Sequence, residues 1–378
     1  MIELDERTRV LRDVGAECAS ELAGLALAVD ADPEDMAPHL GSEALRLIRL
    51  MCTPERFREE PLRLGGFDYG DASCLQRVVG TAALARGDAG SVLAAPGPAL
   101  AGIVVDVLAG EDQRERFYRR LSDGRTWTFF AMTEPRGGND ATGMVTRLDE
   151  KEPGTRELHG TKRYIGNGAR GDIGVVFGRT GRSALSIRAA LVETPLARCD
   201  RRPLDTVGLR GARLSELVFS GTTVDEGSLL GNHLPVSRRG MWGAVKTFLS
   251  MRVQVAAMAV GTAQAMFDQV TAQRPNAPGA DDVRLRLDAA LTLLYEAADA
   301  VDHDPDRAYS SSVAKLVGTA LGVEVARWAA RSLGPASLLV DPLLEKRVRD
   351  VYAFEFMEGT TNIQRLQVAQ GHLRGSGG

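Results

Sequence analysis

The chain has 378 residues, 44% apolar and 25% charged, with a net charge of −4 and a pI near 5.9. That length suits two or three packed regions with a sizeable site between them, and the mildly acidic balance leaves no basic surface for nucleic acid. The opening M-I-E-L-D-E-R-T-R lacks the apolar core of a signal peptide, and the longest uncharged run, 89–105, carries Pro96 and Pro98. This run is shorter than the roughly 20 residues that span a bilayer, so neither export nor a membrane partner is expected. Cys18, Cys52, Cys74 and Cys199 and the dispersed histidines match no metal-ligand spacing, which suits reduced thiols in a cytoplasm and no metal. Lys occurs only at 151, 162, 246, 315 and 346; the excess of Arg carries no mechanistic reading.

From the N-terminus to about Asp123 the pattern is helical. Leu11, Val14, Cys18, Leu22 and Leu25 recur at three and four, as do Leu45, Ile48 and Cys52. G-G-F-D-Y-G-D (65–71) reads as a loop, L-A-R-G-D-A-G (84–90) as a helix end, and 111–121 as an amphipathic segment closed by Asp123-Gly124. Between Thr126 and about Leu234 the runs T-W-T-F-F, I-G-V-V-F-G, L-S-I-R-A-A-L-V and E-L-V-F alternate with Gly, Asn and Asp clusters and predict an antiparallel sheet domain. The helical period then returns. A helix over 245–273 is rich in small residues that allow close approach of a neighbour, Leu287, Leu291 and Leu294 continue the pattern, and so do Val313, Leu316 and Ala320. With the run that ends at Glu358, four long helices predict an antiparallel bundle. The expected class is α+β, mainly α, with regions 1–125, 126–235 and 236–378 and a disordered G-S-G-G tail. No strand leads into G-x-G-x-x-G and there is no P-loop, which disfavours a nicotinamide or P-loop enzyme.

Three stretches carry chemistry. In T-E-P-R-G-G-N-D (133–140) a β-like run enters a loop where Gly137 and Gly138 allow backbone N–H groups to approach a polar ligand, beside Thr133 and Asn139. In G-T-K-R-Y-I-G-N-G (160–168) Tyr164 offers a flat wall for an aromatic ring, and Asn167-Gly168 is a hairpin signal. In E-G-T (358–360) the helical spacing of Leu344, Val348, Val351 and Phe354 stops a helix at Glu358, Gly359 suits a left-handed closure, and Thr360, Thr361 or Asn362 caps a further helix. Taken alone, E-G-T describes an ordinary helix end before it describes a catalytic base.

In order and spacing, these stretches, with V-G-L-R-G-A-R (207–213), M-R-V-Q-V-A-A-M-A-V-G (251–261) and R-V-R-D (347–350), resemble the acyl-CoA dehydrogenase family from about Trp127 to Gln370. The match extends more loosely through L-A-R-G-D and G-E-D-Q-R. The resemblance implies an N-terminal helical domain, a middle β domain and a C-terminal four-helix bundle, with FAD between them in a homodimer or homotetramer. It further implies an acyl-CoA or acyl-carrier-protein substrate and a separate electron acceptor such as an electron-transfer flavoprotein. In the implied chemistry a carboxylate takes the proton α to a thioester carbonyl while the β-hydrogen leaves as hydride to the flavin. Glu358 matches the base, and the other position that carries a base in some members is here Met251, which cannot take a proton. Contacts to FAD are implied for Phe130, Met132, Thr133, Gly138, Asn139, Tyr164, Gly166, Thr360 and Asn362. Arg274, Arg331 and Gly334 match the adenine and pyrophosphate side, and Arg252 and Gly359 the substrate side.

Departures from the family pattern are specific. Gly166 stands where Thr or Ser commonly donates to the flavin, and Asn139 replaces a Ser. The usual R-x-F-G is reduced to Q-R-P-N-A-P-G (273–279), and Q-x-x-G-G-x-G appears as R-S-L-G-P-A-S (331–337). The expected activity is a cytoplasmic, FAD-dependent α,β-dehydrogenation of an acyl thioester, with a specialised biosynthetic branch as the setting. A flavin oxidase or monooxygenase on the same fold, and a binding protein that has lost FAD, stand as alternatives.

Overall fold

The computed structural model describes residues 2–304 and 309–375; of the G-S-G-G tail, only Gly375 is among the described residues. Helices α1 (Glu6–Ala31), α2 (Glu43–Cys52), α3 (Cys74–Ala94), α4 (Ala99–Leu108) and α5 (Glu111–Arg120) open the chain. Asp5, Ser42 and Ser73 cap the first three by accepting the N–H groups of Thr8, Leu45 and Gln76. Two local expectations change here. The stretch 65–71 is the turn and second strand of a hairpin, in which β1 (Leu62–Leu64) pairs with β2 (Phe67–Tyr69). Gly65 and Gly66, at φ +54° and +84°, supply the left-handed residues that a two-residue hairpin turn needs. The helix end at 84–90 is instead a kink inside α3. Asp88 leaves helical geometry at φ −162° and ψ 120°, because its carboxylate accepts the N–H and hydroxyl of Ser91 and so caps a second helical segment.

Strands β3 (Thr128–Ala131), β4 (Arg147–Glu152), β5 (Thr155–Ile165), β6 (Ile173–Arg179), β7 (Ile187–Glu193), β8 (Cys199–Pro203) and β9 (Ser215–Asp225) form one sheet. Their order is β3-β6-β4-β5-β9-β8, with β7 also on β6. Most pairs are antiparallel as expected, but β3 and β4 both pair with β6 in parallel. Parallel strands need a crossover connection, and residues 132–146, which contain T-E-P-R-G-G-N-D, provide it. The Asn167-Gly168 turn closes no hairpin, since it joins β5 to β6 and these strands are not neighbours.

Helices α6 (Met241–Gln273), α7 (Ala280–His303) and α8 (Ser310–Leu333) come next. The small residues of α6 serve close packing as expected: a Cβ on Gly261 would lie 2.3 Å from Ala82 O of α3, and one on Gly318 of α8 would lie 3.2 Å from Ala256 Cβ. Contacts of Ala256 with Gly318, and of Phe267 with Trp328 at 5.8 Å, show that α6 and α8 run in the same direction. The fourth long helix is broken. After α9 (Ser337–Val340) and α10 (Pro342–Asp350), residues 351–358 form successive turns before α11 (Thr361–Gly375) begins. Beyond Asp350, Ala353 and Phe356 donate to carbonyls three residues back, and Glu355 O is taken by a lysine of α8. The α-helical ladder therefore stops one to two turns before Glu358.

A buried polar junction joins the parts of the chain. Lys346 Nζ lies 2.5 Å from Asp88 Oδ1 and 2.6 Å from Asp350 Oδ2, with all three side chains 1% exposed. Asp350 also accepts the Leu209 N–H at 2.6 Å, while Arg347 donates to Arg86 O and Gly87 O at 3.1 Å. A Cβ on Gly208 would lie 2.7 Å from Arg349 O, and one on Gly211 would lie 2.3 Å from Gly90 O. The L-A-R-G-D-A-G, V-G-L-R-G and R-V-R-D stretches thus meet in one place, and their spacing serves packing.

Candidate active site

The turn after α10 is backbone-strained at the residue of interest. Glu358 has φ +52° and Gly359 φ +94°; the first is unusual for a side chain with a Cβ. Three side chains from three helices hold this turn by donating to its carbonyls. Lys315 of α8 reaches Glu355 O at 3.0 Å and Gly359 O at 2.5 Å. Gln364 of α11 reaches Glu358 O at 3.0 Å and Gly359 O at 2.9 Å. Arg252 of α6 reaches Glu358 O at 3.4 Å and Ser312 Oγ at 3.4 Å. The turn is fixed through its main chain, and the Glu358 side chain takes no part in holding it.

Glu358 is half-buried, and among the described residues nothing donates a hydrogen bond to its carboxylate or takes its backbone N–H. Burial pushes the carboxyl up to about 7, with the Lys315 and Arg252 charges pulling the other way. A carboxylate of this kind is a proton acceptor matched to neutral pH.

Beside the turn lies the crossover loop. Thr360 Oγ1 donates to Asn139 Oδ1 at 3.2 Å, so T-E-P-R-G-G-N-D and E-G-T-T-N meet across the fold. The loop itself is pinned from below. Glu134, 7% exposed, accepts from the Val145 and Thr146 N–H groups and the Thr146 hydroxyl. The Lys162 amine, fully buried, reaches Glu134 Oε1 at 3.0 Å and Met132 O at 2.9 Å. Thr133 O accepts the Arg163 N–H at 2.9 Å, which brings the end of β5, and with it Tyr164 and Gly166, beside the loop. Tyr164 sits at φ +62° with its ring 58% exposed. Phe130 packs on Phe177 at 5.1 Å and on Phe248 at 5.9 Å, and Phe248 in turn lies 6.0 Å from the Arg252 guanidinium carbon.

Contacts therefore link the segments that carry most of the expected site residues, namely Phe130, Thr133, Gly138, Asn139, Tyr164, Gly166, Arg252, Glu358, Gly359 and Thr360, and Asn362 is exposed in the first turn of α11. Met132 differs, because its side chain joins the core with Met144, Ile173 and Phe177. Arg274, Arg331 and Gly334 lie elsewhere. Arg274 follows α6 and donates to Ser332 O, 22 residues past Arg252, or about 33 Å along a helix. Lys315, Gln364, Glu134, Lys162 and Phe248 were not singled out from the sequence; a lone lysine in the apolar S-S-S-V-A-K-L-V-G run was the available signal for Lys315.

The glycines of the crossover loop and Gly166 leave room for a ligand to approach the backbone. Exposed Gly137 and Gly138 have only the Thr133 methyl near them, at 3.7 Å from a Gly138 Cβ, and a Gly166 Cβ would meet nothing closer than Ala212 O at 3.7 Å. Among the described residues no acceptor takes the N–H groups of Gly137, Gly138 or Asn139, which leaves them for an anionic or carbonyl-bearing ligand.

Comparison with known proteins identifies the family. The family descriptions "Acyl-CoA dehydrogenase, middle domain" and "Acyl-CoA dehydrogenase, C-terminal domain" match residues 129–222 and 238–373. The mitochondrial short-chain specific acyl-CoA dehydrogenase of Mus musculus is 30% identical over 278 residues, 69% of this chain and 66% of that protein. Butyryl-CoA dehydrogenase from Megasphaera elsdenii superposes with a TM-score of 0.86 at 23% identity, covering 99% of this chain and 100% of the other. The structure described as "PigA with FAD and proline" gives 0.85 at 17% identity, covering 99% and 100%; both show a shared fold. With both domain descriptions matched, this chain belongs to the acyl-CoA dehydrogenase family of flavoenzymes.

Proposed function

We propose that the chain catalyses the FAD-dependent α,β-dehydrogenation of an acyl thioester, with Glu358 as the base. The observation that carries this reading is a carboxylate without hydrogen-bond donors, raised to about 7 and mounted on a clamped turn that faces the glycine-lined loop. When bound, FAD supplies the acceptor for the β-hydride. Phe130, Thr133, Gly138, Asn139, Tyr164, Gly166, Thr360 and Asn362 would hold it, with Met132 contributing main chain alone. Glu358 takes the α-proton onto its carboxylate, and its own N–H is available to the thioester oxygen, where it stabilises developing enolate charge. Arg252 and Lys315 keep two positive charges beside the base, so that it remains ionised despite burial.

A separate electron acceptor such as an electron-transfer flavoprotein would be the partner that completes turnover. We place the enzyme in the cytoplasm; no helix among the described residues is long and apolar enough to cross a membrane. A homodimer or homotetramer accounts for Arg274, Arg331 and Gly334, which serve a neighbouring subunit's cofactor in this reading. Exposed Leu339, Val340, Phe356, Leu366 and Leu373 suit such a contact. The acyl carrier is CoA or a carrier protein, the latter in a biosynthetic branch.

The test is spectroscopic. Purified protein reconstituted with FAD is mixed anaerobically with butyryl-CoA and with a butyryl-carrier protein, and flavin bleaching is followed. Loss of the flavin band with one of them is expected, and Glu358→Gln should bind FAD yet stay oxidised. A protein that takes up no FAD, or a Glu358→Gln variant that bleaches at the wild-type rate, sinks the proposal. Rapid reoxidation in air with no added acceptor would favour the oxidase alternative.

A further inference from the structure

Of the five lysines in the chain, Lys162, Lys315 and Lys346 are at most 1% exposed. Lys162 faces Glu134 and Lys346 faces Asp88 and Asp350, so each has a carboxylate partner at hydrogen-bond distance. Lys315 differs. Its amine meets two main-chain carbonyls, Glu355 O at 3.0 Å and Gly359 O at 2.5 Å, and no carboxylate oxygen lies within ion-pair distance among the described residues. Burying an ammonium without a directly paired anion is costly, and burial accordingly pulls Lys315 down to about 8. The two carbonyls bracket Glu358, one three residues before it and one directly after it. In a continued α-helix Glu355 O would take the Gly359 N–H; Lys315 takes it instead, which allows the chain to turn left-handed at 358 and 359.

We infer that Lys315 is a positioning residue for the base: its ammonium holds the turn open by the carbonyls on either side of Glu358, and its unpaired charge sets the pH at which Glu358 ionises. The inference rests on the reading of Glu358 as the base for its catalytic meaning, but not for its electrostatic content. The charged groups that face Lys315 are Glu358 and Glu355 from the turn and Arg252 from α6. Those that act on Glu358 are Lys315, the larger influence, and Arg252. The Arg252 guanidinium stays charged, whereas burial pulls the Lys315 ammonium down to about 8 and makes its charge one that can be lost. The base is therefore governed by one fixed and one variable positive charge.

The experiment tracks the Glu358 carboxyl by difference infrared titration of the FAD-loaded protein, with its band assigned by subtraction of Glu358→Gln. Wild type should titrate near 7. Lys315→Gln keeps a donor for the carbonyls and removes the charge, and should move the midpoint up by about one pH unit; Lys315→Arg should bring it back. The acid limb of flavin reduction by butyryl-CoA should move with the band. An unmoved midpoint in Lys315→Gln, even with lowered FAD content or stability, overturns the inference and leaves Lys315 structural. If Lys315→Gln gives no folded protein, the wild type carries the test alone. Its Glu358 band should shift as Lys315 loses its proton around pH 8, and that step should be missing in Lys315→Arg; its absence from wild type is equally fatal. Should Glu358→Gln still reduce flavin, the base lies elsewhere, while the infrared midpoints continue to report on Lys315.

Discussion

At the scale of single residues, the site works by separating the duties of main chain and side chain at Glu358. Lys315, Gln364 and Arg252 take the carbonyls of the turn, so the carboxylate is positioned without any bond that a proton would have to break. This fixes the sign of its pH dependence. Burial raises the carboxyl to about 7; in the proposed role of Glu358 the charged form is the active one, and flavin reduction should fall about tenfold for each pH unit below that value. A stopped-flow pH series with butyryl-CoA measures this, and a flat profile from pH 5 to 7 would contradict the assignment. Much of this was legible in the sequence. E-G-T, T-E-P-R-G-G-N-D and Tyr164 could be found because their glycines and short polar residues have few reasons to occur together. The clamp was hidden, because Lys315 and Gln364 act from α8 and α11 on carbonyls, and carbonyls leave no mark on side-chain identity. Composition did hold a trace of it. In a chain with so few lysines, three are buried, and each reaches a carbonyl or carboxylate acceptor.

At the scale of elements, hydrophobic period revealed most of the long helices and several of the strands, but not where each one stops. Asp88 interrupts α3 with the periodic pattern intact on both sides, and α10 stops at Asp350 although Val351 and Phe354 stay fully buried. At Asp88 a side chain takes the backbone group that the helix would use, and after Asp350 the backbone passes into turns bonded three residues back; apolar spacing reports neither. The strand β4, R-L-D-E-K-E, was invisible because a single position, Leu148, faces the core. The packing of α6 was easier to foresee, since its small residues imply near neighbours. Gly261→Leu should push α3 away from α6, because even a Cβ meets Ala82 O at 2.3 Å. A loss of about 1 to 3 kcal/mol in urea unfolding is expected for this overpacking, and a neutral result would mean that the helices can separate freely.

At the scale of the whole molecule, the junction around Lys346 ties α3, the 207–212 loop and α10 together, so the helical and sheet regions should unfold as one unit. Lys346→Met leaves the Asp88 and Asp350 carboxylates buried without their cation. Removing one member of such a group costs about 3 to 5 kcal/mol; calorimetry should show a lower midpoint, and the single transition should split if the junction is what couples the regions. The left-handed backbone of Glu358 carries a different consequence for the same balance. A residue with a long side chain is held at φ +52°, where asparagine is far more at ease, and it also keeps a carboxyl partly out of water. Folding alone would select against glutamate at this position. Glu358→Asn should therefore unfold at a higher temperature than wild type in the absence of FAD, gaining about 1 kcal/mol, while losing the ability to bleach flavin. Reactivity and durability draw the 358 position in opposite directions, and a chain released from the need for chemistry would be expected to drift away from glutamate there first.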